Sequence, residues 1–305
     1  MDTATPRLTP KLYTFIAFVV LCMILLIWRD SRTPKGPPPL MRISESADGT
    51  HDLEIALVRY AAPAAFAGAT VDFVGAVHLG EKTYFEALNQ RFKGYEEVLF
   101  ELVADPDRID ALKGSSHDSP LGMVQKKLAE LLGLDFQLDD IDYQAKNFLH
   151  ADMTPDDLAR AMKARGETLP KLILKLFKLS FDPKLQRSLE ESGFSSNELD
   201  SINPLMMVIR GPTEAERATF KRFMAHGLLA SDQVLKALEG EDGSVLISDR
   251  NKVVISVLRK ELEAGKKNIA IYYGVGHLPD MHRRLTEELG LRMVSVSWMP
   301  AWKLQ

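Results

Sequence analysis

The densest apolar run of the chain lies near its start. Leu12 to Trp28 reads LYTFIAFVVLCMILLIW, seventeen residues without a charge between Lys11 and Arg29. As a helix this run spans roughly 25 Å, the short limit for crossing a hydrocarbon core. Tyr13 and Trp28 stand near its ends, where amphipathic rings favour the headgroup region. A signal-peptide cleavage site needs small residues, yet Trp28-Arg29-Asp30 follows the run directly. The pattern therefore predicts an uncleaved single-pass anchor over 12–28, behind a short tail over 1–11. The stretch RDSRTPKGPPPL is polar and proline-rich and predicts a linker over 29–40. Arg7 and Lys11 before the anchor, against Arg29, Arg32 and Lys35 after it, do not choose a side of the membrane.

From Met41 onward the pattern changes to that of an α/β domain, 41–305. Leu53 to Tyr60 and Thr70 to Val77 read as strands, rich in β-branched and apolar residues. Tyr84, Phe85, Leu88 and Phe92 recur at helical spacing between Glu81 and Lys93, and EVLFEL at 97–102 reads as a buried strand. Strand, helix and strand in about thirty residues is the size of a right-handed crossover unit. The last third repeats the layout: strand NIAIYY at 268–273, a helix from Pro279 to Leu289, and a strand from Arg292 to Trp298.

Between these units, residues 105–240 read as an almost wholly helical cap inserted over the base. Ser119 to Leu132 carries Leu121, Val124, Leu128 and Leu131 on one face. Thr154-Pro155-Asp156-Asp157 is a helix start, with a capping threonine, proline at the first position and acids in the first turn. Lys171 to Phe181 reads as a helix with a lysine stripe at 171, 175 and 178. The expected class is α/β with a central mixed or largely parallel sheet and a large helical insertion.

Composition narrows the function classes. The 305 residues are 46% hydrophobic and 26% charged, as in an ordinary globular protein. A formal charge of −4 argues against a protein built to grip phosphate backbones, so no nucleic-acid partner is expected. The single cysteine, Cys22, excludes an internal disulfide and a zinc site of several thiolates. There is no His-Glu-x-x-His, Gly-x-Ser-x-Gly, Walker loop or Gly-x-Gly-x-x-Gly.

Candidate chemistry gathers at two strand ends. Gly75-Ala76-Val77-His78 and Gly274-Val275-Gly276-His277 each close a predicted parallel strand, and Glu101 ends the strand after the first. In open α/β sheets ligands bind beyond the carboxyl ends of the strands. Two imidazoles and a carboxylate there either bind a divalent metal with an open position for water, or let a histidine activate water directly. The ligand types suit zinc, manganese or cobalt. Gly75 and Gly274 would let the backbone turn tightly and approach a ligand. Arg250, at the head of the helix VVISVLRKEL, would orient Glu101 or stabilise a developing oxyanion. His150 and Asn251 are candidates for supporting the primary groups.

These motifs resemble the TraB/GumN family, which includes the pheromone-shutdown PrgY proteins and the Tiki proteases. The resemblance covers roughly residues 53–298. It rests on VGAVHLGEKTYFEALNQRFKGYEEVLFEL, DRNKVV and YYGVGHLPDM, which place the family's hallmarks on His78, Glu101, Arg250 and His277. Ala76 stands where the family commonly has threonine, and Asp249 where it has glutamate. The resemblance implies a core similar to erythromycin esterases and ChaN-like haem-binding proteins. It also implies hydrolysis, metal-dependent and directed at peptide bonds in the Tiki case. Its alternatives are metal-independent esterase-like hydrolysis of a small molecule, and non-catalytic binding of a peptide or haem.

Overall fold

Runs of β-branched and aromatic residues separated by turn residues form the sheet, because such side chains pack well on a pleated surface. The computed structural model describes residues 40–45, 49–108, 120–168, 202–239 and 243–304. The strands are β1 (Met41–Glu45), β2 (His51–Ala61), β3 (Thr70–Ala76), β4 (Leu79–Gly80), β5 (Glu97–Phe100), β6 (Asp135–Phe136), β7 (Phe148–His150), β8 (Asn268–Gly274) and β9 (Arg292–Leu304). β4 and β6 make a two-stranded ribbon, and the other seven strands make one sheet.

The sheet runs β1-β2-β3-β8-β5-β7, with β9 also on β2. β9 pairs antiparallel with β2 along residues 51–61, so β1 and β3 share the other edge of β2 in succession. From β3 through β8 and β5 to β7 every pairing is parallel. The class is mixed α/β, as the alternation of strand and helix predicts.

Three details differ from the sequence reading. β8 lies between β3 and β5, so the first strand-helix-strand unit leaves a gap that a strand from the last third fills. The second unit is no parallel crossover, because β9 returns antiparallel to β2. The insertion is also less helical than its pattern implies: β6 and β7 fall inside it, and β7 extends the main sheet. Strands of two and three residues are too short to carry a period.

The helices are α1 (Lys82–Phe92), α2 (Pro120–Leu132), α3 (Gln137–Asp140), α4 (Pro155–Ala164), α5 (Pro204–Arg210), α6 (Glu214–Glu239), α7 (Arg250–Glu263) and α8 (Leu278–Glu287). Thr154 caps α4, its hydroxyl accepting from the Asp157 amide, with Pro155 at the first position. α1 buries Tyr84, Phe85, Leu88 and Phe92, and Phe92 packs on Tyr272 of β8 with ring centroids 4.8 Å apart. Each such aromatic or leucine side chain contributes on the order of 1.5–3 kcal/mol by leaving water. Tyr273, one residue on, points to the opposite face and meets His277 edge-on at 5.1 Å.

Among the described residues no helix is long and apolar enough to cross a membrane. The predicted tail 1–11, the anchor 12–28 and all of the linker before Leu40 lie outside those residues, as does the segment Lys171 to Phe181.

Candidate active site

Register alone brings the chemistry together. Ala76 pairs with Gly274, Phe100 with Tyr272, and Phe100 with His150, so four parallel strands end at one edge. The residues just beyond those ends are His78, Val275 to His277, Glu101, and Ala151-Asp152. Glu101 is thus not within its strand but one residue past it.

Glu101 is held from three sides. Arg250 Nη2 donates to its Oε1 at 2.7 Å, and the Gly274 amide donates to its Oε2 at 2.5 Å. His277 Nε2 lies 3.4 Å from Oε1. Burial alone would raise the Glu101 pKa, but Arg250, His277 and the Gly274 amide hold it well below the usual carboxylate range. These contacts favour the ionised carboxylate.

Arg250, buried at the start of α7, serves two carboxylates. Its Nε and Nη2 donate to Asp152 Oδ1 and Oδ2 at 2.9 and 2.5 Å, while Nη2 also reaches Glu101. Burial opposes its charge, but Asp152 and Glu101 outweigh that and keep the guanidinium charged. Its remaining hydrogen bond, from Nη1, goes to the Leu246 carbonyl at 3.4 Å. These contacts tie Arg250 to both carboxylates and hold Glu101 in place. One guanidinium between two carboxylates leaves the cluster net negative.

Asn251 settles the orientation of His277. Its Nδ2 donates to the His277 carbonyl at 3.2 Å and to Asp280 Oδ2 at 2.9 Å, so its Oδ1 is the atom facing His277 Nδ1 at 2.7 Å. An amide oxygen only accepts, so Nδ1 carries hydrogen and Nε2 faces Glu101. A bare Nε2 against a carboxylate oxygen is repulsive. The pair needs either a proton on Nε2 or a cation shared between the two atoms.

His78 lies on the other turn. Burial lowers its pKa below the ordinary imidazole value, with Glu101 opposing and Arg250 adding to the shift. It is thus a neutral imidazole near neutral pH, able to accept a proton or a metal bond. His150, placed by sequence beside a helix start, sits on β7 and donates from Nε2 to the Leu102 carbonyl at 2.6 Å, bracing the backbone next to Glu101.

The two glycines work by space, not by turning. Neither adopts a positive φ. A Cβ on Gly274 would sit 3.0 Å from Glu101 Oε2; one on Gly75 would sit 2.8 Å from Ile55 Cγ2 and 3.0 Å from the Ala56 carbonyl. A third Gly-x-x-His, Gly114 to His117, lies outside the described residues, so the spacing by itself is not diagnostic.

Asp152 was not singled out from the sequence. Its signal, an acid just after FLH, is hidden because β7 has only three residues. A cleft of about 490 Å³ adjoins it, lined by Asp152, Met153, Val253 and, from α4, Asp157, Arg160, Ala161 and Ala164.

A divalent ion fits this donor set in part. The 3.4 Å between His277 Nε2 and Glu101 Oε1 is the edge expected between two ligands bonded at about 2.1 Å in a tetrahedron. With His277 neutral the cluster is net negative, which favours a cation, and Asn251 supplies the outer hydrogen bond that such histidines need. Against it, Arg250 occupies the same Oε1. Among the described residues no three His, Cys, Asp or Glu side chains are gathered as one metal-holding group.

No protein-family model matches the chain, and no curated protein matches it. Function is therefore read from the chemistry of the site.

Proposed function

We propose that the chain is a membrane-anchored hydrolase working at the parallel-strand edge, with His78 as the proton acceptor for an attacking water. The observation that carries this reading is the buried chain Asn251–His277–Glu101–Arg250–Asp152 set beside a neutral His78. A neutral imidazole beside an ionised carboxylate takes the proton of the attacking water and returns it to the leaving group. Glu101, kept ionised, supports positive charge that develops on either histidine. Arg250 and Asp152 hold Glu101 in place, and residues 12–28 hold the protein at the bilayer. The resemblance to the Tiki proteases makes peptide bonds the first substrate class, with small-molecule esters the second.

A metal-dependent form of the same hydrolase is favoured by the 3.4 Å edge between His277 Nε2 and Glu101 Oε1. In that form His277 and Glu101 would hold zinc, manganese or cobalt, with His78 as the third donor. Such an ion lowers the pKa of bound water towards neutrality.

The test is elemental analysis of the full chain purified in detergent without chelators, followed by peptide-library and ester hydrolysis before and after chelation. Turnover that survives chelation supports the metal-free form; turnover lost with near-stoichiometric metal supports the other. Stoichiometric capture of a peptide or haem without product would replace both with a binding protein.

A further inference from the structure

β9 lies at the edge of the sheet. It pairs antiparallel with β2, and among the described residues no strand pairs with its other side. Part of that side is closed: the Glu81 amide donates to the Ala301 carbonyl at 2.8 Å, and the Lys303 amide donates to Glu81 Oε1 at 3.1 Å. No bond of this kind covers Arg292 to Pro300 among the described residues. Met293 and Val294 are 39% and 51% exposed, and no charge or proline interrupts Met293 to Met299. Edge strands that must stay single carry such groups, because an open edge templates another strand.

The register fixes which groups face outward. The Ala56 amide donates to the Leu40 carbonyl, just before β1, so it points away from β9. Ala56 and its β9 partner Trp298 therefore form a non-hydrogen-bonded pair, and Trp298 turns its N–H and C=O away from β2. Val296, paired with Val58 in the same straight run between the two register shifts, does likewise. Around Val296 the strand reads alike in both directions: Met293-Val294-Ser295-Val296-Ser297-Trp298-Met299. A second copy laid antiparallel with Val296 on the two-fold axis exchanges both backbone bonds there. Ser295 then faces Ser297 of the second copy, Val294 faces Trp298, and Met293 faces Met299. Arg292, the one charge on the open stretch, faces Pro300 rather than another cation. Matched cross-strand pairs stabilise a sheet, whereas a one-residue slip would set valine against serine.

We propose that β9 is a dimerisation strand whose occupant is β9 of a second copy of this chain. The two sheets join as one across the axis, in a contact where each side offers the same patch. β2 and β9 of each copy stand between the seam and the site at the ends of β3, β8, β5 and β7. The proposal does not depend on the hydrolase reading. One edge-to-edge contact of this length is small beside a standard interface, so the dimer dissociates on dilution.

The test is sedimentation of the full chain in detergent over a dilution series, beside Val296→Lys. That variant keeps the pairing with β2 but sets like charges against each other on the axis. The expected result is a monomer–dimer equilibrium in the wild type and a monomer in Val296→Lys, with the same far-ultraviolet circular dichroism. Mild oxidation then reads the register in a Cys22→Ala background. Val296→Cys should form a disulfide dimer, because opposed residues that exchange both backbone bonds lie about 5.5 Å apart, within disulfide reach. Arg292→Cys, which faces Pro300 and not its own copy, should not. A wild type that stays monomeric at every concentration would overturn the proposal. So would a dimer that survives Val296→Lys, since the copies would then be joined elsewhere, the anchor included. Should Val296→Lys not fold, cross-linking no stronger through Val296→Cys than through Arg292→Cys would overturn it equally.

Discussion

Arg250 grips Asp152 with two hydrogen bonds, at 2.9 and 2.5 Å, and gives Glu101 only one, at 2.7 Å. The residue with the stronger hold on the arginine is thus not the one at the centre of the site. Asp152 acts on Glu101 through the shared guanidinium, setting how much of its charge remains for the second carboxylate.

Removing Asp152 should therefore cost stability first. Its side chain is fully buried, and breaking a buried pair costs on the order of 3–5 kcal/mol. Asp152→Ala is expected to lose that much in urea unfolding, and Asp152→Asn, which keeps an acceptor, distinctly less. Equal, small losses in both would show that Glu101 alone suffices for Arg250.

Asn251→Leu should leave the fold standing and lower turnover by about 10- to 100-fold, the usual loss when the hydrogen bond that orients a functional histidine is removed. Steady-state kinetics on whichever substrate is found will check it. Unchanged turnover would mean that the Nδ1 contact does not orient the working ring.

The two strand-end glycines should separate stability from activity. Gly75→Ala drives a methyl into Ile55 and the Ala56 carbonyl, an overpacking worth roughly 1–3 kcal/mol. Gly274→Ala meets mainly the Glu101 carboxylate, so it is expected to displace that group and abolish turnover with a smaller fall in melting temperature. The opposite ranking would show that the Gly274 contact is only structural.

Acid should weaken the protein in two windows. Burial lowers the His78 pKa, so the unfolded chain takes up that proton first, and stability falls as pH drops below about 6.5. Burial would raise Glu101, but Arg250, His277 and the Gly274 amide depress it. Its contribution is thus whole above about 4.3 and lost as pH falls through the lower folded value. Urea titrations across pH should show both losses, with His78→Gln removing the first and Glu101→Gln the second. If His78 is the base, turnover should show an acid limb below the ordinary imidazole range.

Much of this site was legible before the structure, because its residues follow long, strongly patterned strands. TVDFVGAV and NIAIYY point to their own ends, and His78, Glu101 and His277 lie there. The sheet order was not legible: nothing local in NIAIYY says that it pairs with both β3 and β5. Asp152 escaped for a related reason. Asp152 follows a strand of three residues, whose presence depends on a partner far away in sequence. Arg250 was legible as a partner of Glu101, but its second and stronger tie to Asp152 required seeing where its hydrogen bonds go.

The place of β8 also has a consequence in time. It is the late-synthesised strand that must slot between two early ones, pairing with β3 on one side and β5 on the other. Such non-local pairing is slow to form and late to be rewarded. Until residues 268–277 are seated, Glu101 has neither the Gly274 amide nor the His277 ring beside it, and the cluster is incomplete. A chain still emerging from the ribosome would thus hold Glu101 without these partners, and the cluster is completed only by the closing of the sheet.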